Sequence, residues 1–398
     1  MLSGIATRVG QRMGLHRESA TSSLSVLEAE IRRRLWWQIL TLEGHSSSLS
    51  GHATSIAEAN TPAAVISLRP SRLLNVNDSD LYPNMREPPL EHTGITEMLF
   101  CCIRYEVGKF MWSHVLSSNA ETNSITTKIK DIDDFETRLG QQYIQYCDPS
   151  IPLHFLATLI VRTATCKMRL RAYAPHHYST SAAQPQAEKD AAFAISLQII
   201  EYDNQAHSIT AQNMLKGFMW HVRMLFQLEA FIYILFELRV RTTGEQVDWA
   251  WQQVEACYEY HSEILRETKN KLWFAVGNLC LKAWEERVRA KRVEQGGLHL
   301  NWPGFVRELY TQRRQKEQGG AKGGGQEMGT SMQEPSSDRP MDMQMGQENR
   351  GLGGWAEGIG SDTMQPSTYM AFEAGIAGSM DWESWQTLFD DCGVPIFS

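Results

Sequence analysis

Apolar positions recur at three- and four-residue steps through most of the first 314 residues, the spacing of one face of an α-helix. Leu24, Leu27, Ile31, Leu35, Ile39 and Leu42 make the first clear stripe, and Met98, Leu99, Cys102, Ile103, Val107, Phe110 and Met111 make one within 93–116. Ile129, Ile132, Leu139, Tyr143 and Tyr146 follow within 128–147. Pro152 can open a helix running to about Tyr173, since a first-turn proline sacrifices no helical hydrogen bond. A Pro- and Ser-containing connector, 174–188, leads to a further helix near Ala191. The pattern then predicts one long helix over 214–240, with Leu215, Phe218, Val222, Phe226, Ile232, Tyr233 and Phe236 in register, and two more over 249–271 and 273–292. No proline-free run alternates like a strand. The expected fold class is all-α, a multi-helix array closing near Arg314.

One polar residue interrupts the longest stripe. Glu229 lies three positions after Phe226 and four before Tyr233. A carboxylate there is either paired to a basic group on a neighbouring helix or lines a cavity, because burial without a partner is costly. Both readings stay open, and Glu229 is the candidate ligand-cavity residue.

The stretch Met13–Leu42 organises the N-terminal part. Met1–Gly14 reads as the tail of a helix, with Ile5, Val9 and Met13 at four-residue steps and Gly14 as terminator. Ser25 and Glu28 have the spacing of a capping box. Glu28 stands four before Arg32 and Glu30 four before Arg34, the favourable order for helical ion pairs, while Arg32 reaches Trp36 and Arg33 reaches Trp37 for stacking. Arg32-Arg33-Arg34 beside two tryptophans has the composition of a nucleic-acid patch, but a footprint needs unneutralised cations, and these are answered locally. The triplet reads as structural, with the apolar face of its helix turned into the core. Further on, Asn75–Pro89 is a turn-rich loop in which Asn75, Asn77, Asp78 and Asp80 suit Asx turns. As a calcium loop it fails: counted from Asp78, Pro83 and Pro89 stand where the glycine and the bidentate glutamate belong.

Taken in order, Gly14-Leu15-His16-Arg17, Glu28, Glu30, Arg32-Arg33-Arg34-Leu35-Trp36-Trp37, Gly51, the run Asn75 to Pro83 containing Asn77, Asp78 and Asp80, Thr96-Glu97-Met98 and Arg104-Tyr105-Glu106 resemble the regulatory (middle homology) domain of fungal zinc-cluster transcription factors. The signature spans 13–110 and thins into general helical pattern beyond it. The resemblance implies a nuclear protein whose helical domain links ligand or partner input to transcription, with Arg32, Arg33, Arg34, Trp36, Trp37, Asn77, Asp78 and Asp80 as structural signature residues. In that family more of the domain, and a six-cysteine zinc cluster, precede this point. The expectation is therefore an N-terminally incomplete member with no zinc cofactor of its own and no specific DNA binding by this chain alone, acting through a coactivator or by pairing with a full-length zinc-cluster regulator. The connector 57–74 departs from the family pattern and reads as an insertion or a translated intron.

Composition narrows this little. A net charge of −8 and pI near 5.9 argue against nucleic-acid binding by the whole surface. None of the seven cysteines forms a C-x-x-C pair, and with no signal pattern the thiols read as reduced. The most apolar segment, 218–238, is interrupted by Arg223, Glu229 and Glu237 and is no membrane span. The nucleophile-elbow, zincin and dinucleotide motifs are missing, and His176-His177 sits in a connector without a third ligand, so no catalytic residue is nominated and the protein is not expected to be an enzyme.

After Arg314 the composition turns to Gly, Gln, Met and Ser, which cannot bury enough apolar area to fold, so 315–369 is expected to be a disordered linker. At 370–398 the chain ends in an acidic-aromatic tail in which Trp382, Trp385 and Phe389, with Leu388 beside them, make one face of a short helix flanked by Asp381, Glu383, Asp390 and Asp391. That is the form of a helix-in-groove ligand and marks an activation segment, the other reading being a latch on the chain's own helical domain. The expected function is transcriptional regulation of a metabolic or secondary-metabolite gene set. The alternative is a helical small-molecule-binding or interaction module.

Overall fold

A computed structural model describes residues 2–17, 24–50, 72–111, 124–173, 185–211, 216–218, 222–223, 226–266, 270–294 and 302–323. Among these the secondary structure is helical throughout, with no strand: α1 (Leu2–Arg12), α2 (Val26–Ser50), α3 (Leu99–Phe110), α4 (Ile125–Gln142), α5 (Pro152–Tyr173), α6 (Gln186–Ala211), α7 (Leu228–Leu238), α8 (Glu245–Tyr260), α9 (Ser262–Arg266), α10 (Lys271–Glu294) and α11 (Gly304–Gly323), with short 3-10 turns at Asp78–Asp80, Ile144–Tyr146 and Lys216–Phe218. No described helix is long and apolar enough to cross a membrane.

Local chemistry sets several of these boundaries. The Glu28 amide donates to Ser25 Oγ (3.3 Å) and the Ser25 amide to Glu28 Oε2 (3.0 Å), closing the capping box at the start of α2. Ser124 caps α4 by accepting from the Thr127 amide at 3.2 Å. Gly14 ends α1 at φ +70, a left-handed value that lets the Leu15 amide reach back to the Gly10 carbonyl at 3.0 Å. The closing helix α11 runs on to Gly323, past Arg314: Gln315, Lys316, Glu317 and Gln318 are good helix formers, and the helix continues beyond them through Gly319 and Gly320 despite their low propensity.

Two predicted helices are broken. The stripe at 214–240 is not one helix: Gln227 is extended at φ −118 and ψ 93, and α7 starts only at Leu228. The break sets the Phe226 ring 4.4 Å from that of His261 and lets α7 enter the core with nearly every residue buried. The helix expected over 249–271 is likewise split at His261, φ −108 and ψ 53, into α8 and α9. A 3.6-residue period persists across such breaks because apolar residues flank them on both sides.

Two apolar clusters result. The first gathers Trp36, Trp37 and Leu40 of α2 with α3, α4 and the first half of α5, including Ile103, Phe135, Leu156 and Leu159. The second collects α7, α8, α10 and α11 around Phe231, Tyr258 and Leu279, with Cys166 and Leu170 of α5 and Phe193 and Ile200 of α6. The α5–α6 pair thus belongs to both and joins them.

The N-terminal helix pair overturns one expectation. Ile31 and Leu35 are 52% and 47% exposed, and Ile5 and Val9 of α1 and Met13 just past its end are exposed by similar fractions. The buried face of α2 is instead Glu30, Trp36, Trp37, Leu40 and Glu43. Two indoles bury more area than the aliphatic stripe would, and the carboxylates are answered: Thr7 of α1 donates to Glu43 Oε2 at 3.1 Å. This geometry predicts that Leu35→Ser changes unfolding free energy by no more than about 0.5 kcal/mol, whereas Leu40→Ala, at a fully buried site, costs about 2–5 kcal/mol. Urea titrations of the two variants check it, and a large loss in Leu35→Ser would contradict the orientation of α2.

Candidate functional site

The signature residues converge on the end of α2 nearest the loop 74–98. Glu30, wholly buried, accepts from Arg33 Nη1 on Oε2 (2.7 Å) and from Arg34 Nε on Oε1 (3.2 Å). The same Oε1 takes the Leu74 backbone amide at 3.3 Å, so one carboxylate ties α2 to the incoming loop. Arg34 then extends across it, Nη1 donating to Asp78 Oδ1 at 2.7 Å. Burial works against the Arg34 charge, but Asp78 and Glu30 outweigh it and hold its pKa above the usual value. Arg32 donates to the Met13 carbonyl at 2.6 Å, satisfying an acceptor where α1 ends.

Within the loop the polar side chains replace regular secondary structure. Asn75 Nδ2 donates to the carbonyls of His92 (2.8 Å) and Gly94 (2.9 Å), while its Oδ1 accepts from Thr96 Oγ1 (2.7 Å). Asn77 Oδ1 accepts from the Glu97 amide (3.1 Å), and the Asn77 and Asp78 amides go to Asp80 Oδ2 (2.8 Å) and Glu97 Oε2 (2.7 Å). His92 Nε2 lies 2.8 Å from Asp80 Oδ2, and the hydrogen bonds from His92 and the Asn77 amide keep the Asp80 carboxyl below its ordinary pKa. Asn77, Asp78 and Asp80 therefore spend their oxygens on backbone amides, Arg34 and His92.

Each arginine of the triplet thus has a defined oxygen acceptor, and the two indoles meet other rings: Trp37 stands edge-on to Tyr105 at 4.5 Å and Trp36 lies 5.8 Å from His16. Beside Arg34 and Trp37 a cavity of about 80 Å³ opens toward Gln38 and Arg104. Arg104 Nη1 reaches Gln38 Oε1 only at 3.5 Å, and its Nε and Nη2 find no acceptor among the described residues. The volume suits a few waters rather than a metabolite, whose pockets run to about 300–1,000 Å³.

Glu229 is not among the lining residues of that cavity. It sits half-buried in the first turn of α7, where the helix N-terminus favours a carboxylate, and its charge acts on Lys167 of α5. This is not the mid-helix position expected from the long apolar stripe. The reason lies in the break at Gln227, which moves Glu229 from mid-helix to a helix start. Trp382, Trp385, Leu388 and Phe389, the linker 315–369 beyond Gly323, and all of the connector 57–74 except its last three residues lie outside the described residues.

A second concentration of buried polar groups was not singled out from the sequence. Asp203 and His207 are one turn apart on α6, and His261 reaches them from the α8–α9 break, its Nε2 2.7 Å from Asp203 Oδ2. His207 Nδ1 lies 3.0 Å from the Asp203 carbonyl and 3.6 Å from Oδ2. Burial disfavours charge on both rings and lowers the His207 pKa; at His261 the Asp203 and Glu263 carboxylates prevail and raise it to about 9. The i, i+4 spacing of Asp203 and His207 was a readable signal, but nothing in the sequence brings His261 to them.

Residues 1–128 match the model of the fungal specific transcription factor domain. The chain is 36% identical over 297 residues to the aurofusarin cluster transcription factor aurR2 of Gibberella zeae, covering 73% of this chain and 43% of that protein. It is 28% identical over 295 residues to the transcriptional regulator AacuB of Aspergillus aculeatus (72% of this chain, 39% of the relative). It is also 28% identical over 325 residues to the pyriculol/pyriculariol biosynthesis cluster transcription factor 1 of Pyricularia oryzae (78% and 42%). The chain spans about two fifths of the length of these relatives, and the similarity runs far past Glu106, where the signature thins. No solved structure matches.

Proposed function

The chain carries a fungal specific transcription factor domain in residues 1–128, and from that premise we propose that the protein is a nuclear transcriptional regulator of a secondary-metabolite gene set. The observation that carries the proposal is the 36% identity over 297 residues to a regulator named for the aurofusarin cluster. A second relative named for a biosynthesis cluster supports the same class of target. The geometry supports a division of labour in which the domain is scaffold and input, since the arginines of its most basic stretch are engaged by Glu30, Asp78 and the Met13 carbonyl rather than presented to a phosphate backbone. Output falls to the acidic-aromatic segment 370–398, which recruits a coactivator through Trp382, Trp385, Leu388 and Phe389; a full-length zinc-cluster regulator is the second proposed partner.

Two measurements test this. Disrupting the gene lowers the transcripts of one biosynthetic gene set, and unchanged transcripts across all such sets would overturn the proposal. Fused to a heterologous DNA-binding domain, residues 370–398 activate a reporter, and Trp385→Ala with Phe389→Ala reduces the output to background. A silent wild-type fusion would remove the activation role while leaving the regulatory assignment to the transcript measurement.

A further inference from the structure

We propose that Asp203, His207 and His261 form a binding site for one transition-metal dication, with Zn²⁺ the ion best suited to the donor set. Their ligand atoms all lie within 4.8 Å of one another, and all three residues are buried. Asp203 and His207, four apart on α6, project from one helix face, the arrangement by which a helix offers two ligands to a single ion. His261 comes from a different part of the chain and is fixed by the backbone break between α8 and α9, so the three donors converge from two directions.

A second observation points to a ligand. Asp203 is fully buried, yet its Oδ1 has no hydrogen-bond partner among the described residues. Buried carboxylate oxygens are normally satisfied, and this one has an open lone pair beside two imidazoles. The Nε2 of His261 and Nδ1 of His207 stand 2.7 and 3.6 Å from Asp203 Oδ2. These separations bracket the roughly 3.3 Å between neighbouring ligand atoms of a tetrahedral zinc with bonds of about 2.0–2.1 Å. Two contacts have to open to admit the ion: Asp203–His261 at 2.7 Å, and His207 Nδ1 with the Asp203 carbonyl at 3.0 Å. The outer nitrogen of His261, Nδ1, lies 3.5 Å from Glu263 Oε1, the carboxylate–histidine backing that orients metal-bound imidazoles. One carboxylate and two imidazoles leave a fourth position for water.

Cobalt is the probe, because Co²⁺ at a tetrahedral site absorbs visibly whereas zinc is silent. Titrating the metal-free full-length chain should saturate at one Co²⁺ per chain with visible d–d absorption, and Zn²⁺ should displace it. Because the ligands are nitrogen and oxygen, no sulfur-to-cobalt charge-transfer band accompanies it. Asp203→Asn and His261→Ala, checked for helicity by circular dichroism, abolish the signal; Glu263→Gln weakens the affinity about tenfold. Absent d–d absorption in the wild-type chain overturns the proposal and leaves Asp203–His261 as a buried ion pair. A signal untouched by Asp203→Asn, or one carrying a thiolate band, also overturns it by placing the metal on cysteines elsewhere.

Discussion

Replacing Glu30 with alanine lowers the free energy of unfolding by about 3–5 kcal/mol, the cost of removing one member of a buried ion cluster and stranding the others. The carboxylate is wholly buried, while Arg33 and Arg34 are 15% and 21% exposed, so neither guanidinium is free to turn fully into water. The loss reaches beyond the pair. Without Oε1 the Leu74 amide loses its acceptor, and Arg34, no longer held from below, anchors Asp78 less firmly. Glu30→Gln keeps the shape and one acceptor but aims an amide N–H₂ at a guanidinium, so it also destabilises, by less than alanine. The discriminating variant is Glu30→Met combined with Arg33→Met. Replacing paired charges by apolar groups of similar volume is often close to neutral, so the double change recovers part of the stability that Glu30→Ala loses. Urea midpoints for the three variants decide the matter, and a loss below about 1 kcal/mol in Glu30→Ala would mean the cluster is ornamental.

How far the sequence reaches depends on how local each cause is. The capping box of Ser25 and Glu28 and the left-handed stop at Gly14 involve residues within a few positions of one another, and both were legible. Asn75 and Asn77, expected to turn the chain locally, instead bond residues 17 to 21 positions on. The helical class followed from periodicity alone. The buried face of α2 did not, because periodicity counts apolar side chains and cannot see that Glu30 and Glu43 have partners that let them go inside. The breaks at Gln227 and His261 were hidden for a related reason: neither is glycine or proline, and both exist because tertiary packing places Phe226 against His261. The same distance effect hid the Asp203–His207–His261 cluster, in which His261 stands 58 residues from Asp203. Residues that act through neighbours in space, rather than in sequence, are where reading from the chain stops.

The packing of α1 on α2 gives the second large effect. Trp36 is fully buried, with Gly10 of α1 close against the Cε3–Cζ3 side of its indole and His16 beside it. Trp36→Ala is expected to cost about 3–5 kcal/mol, transfer and cavity contributions together, and to loosen α1, leaving it held by Thr7–Glu43 and the Arg32–Met13 contact. Limited proteolysis within residues 2–17 reports that loosening directly. Gly10 supplies the sharper arm. A Cβ there would sit 2.9 Å from Trp36 Cζ3, inside contact distance, and the ring is too large and enclosed to move freely. In the wild-type background Gly10→Ala should therefore destabilise by about 1–3 kcal/mol through overpacking. Once Trp36 is alanine only Ile39 Cδ1 remains close, at 3.3 Å, and as the end of a flexible side chain beside a new cavity it can give way; the same substitution should then stabilise by up to about 1 kcal/mol, the helix propensity alanine gains over glycine. A change of sign between backgrounds is a coupling that propensity alone cannot produce. If Gly10→Ala behaves identically in both, the close approach of α1 to the Trp36 ring is not what holds these two helices together.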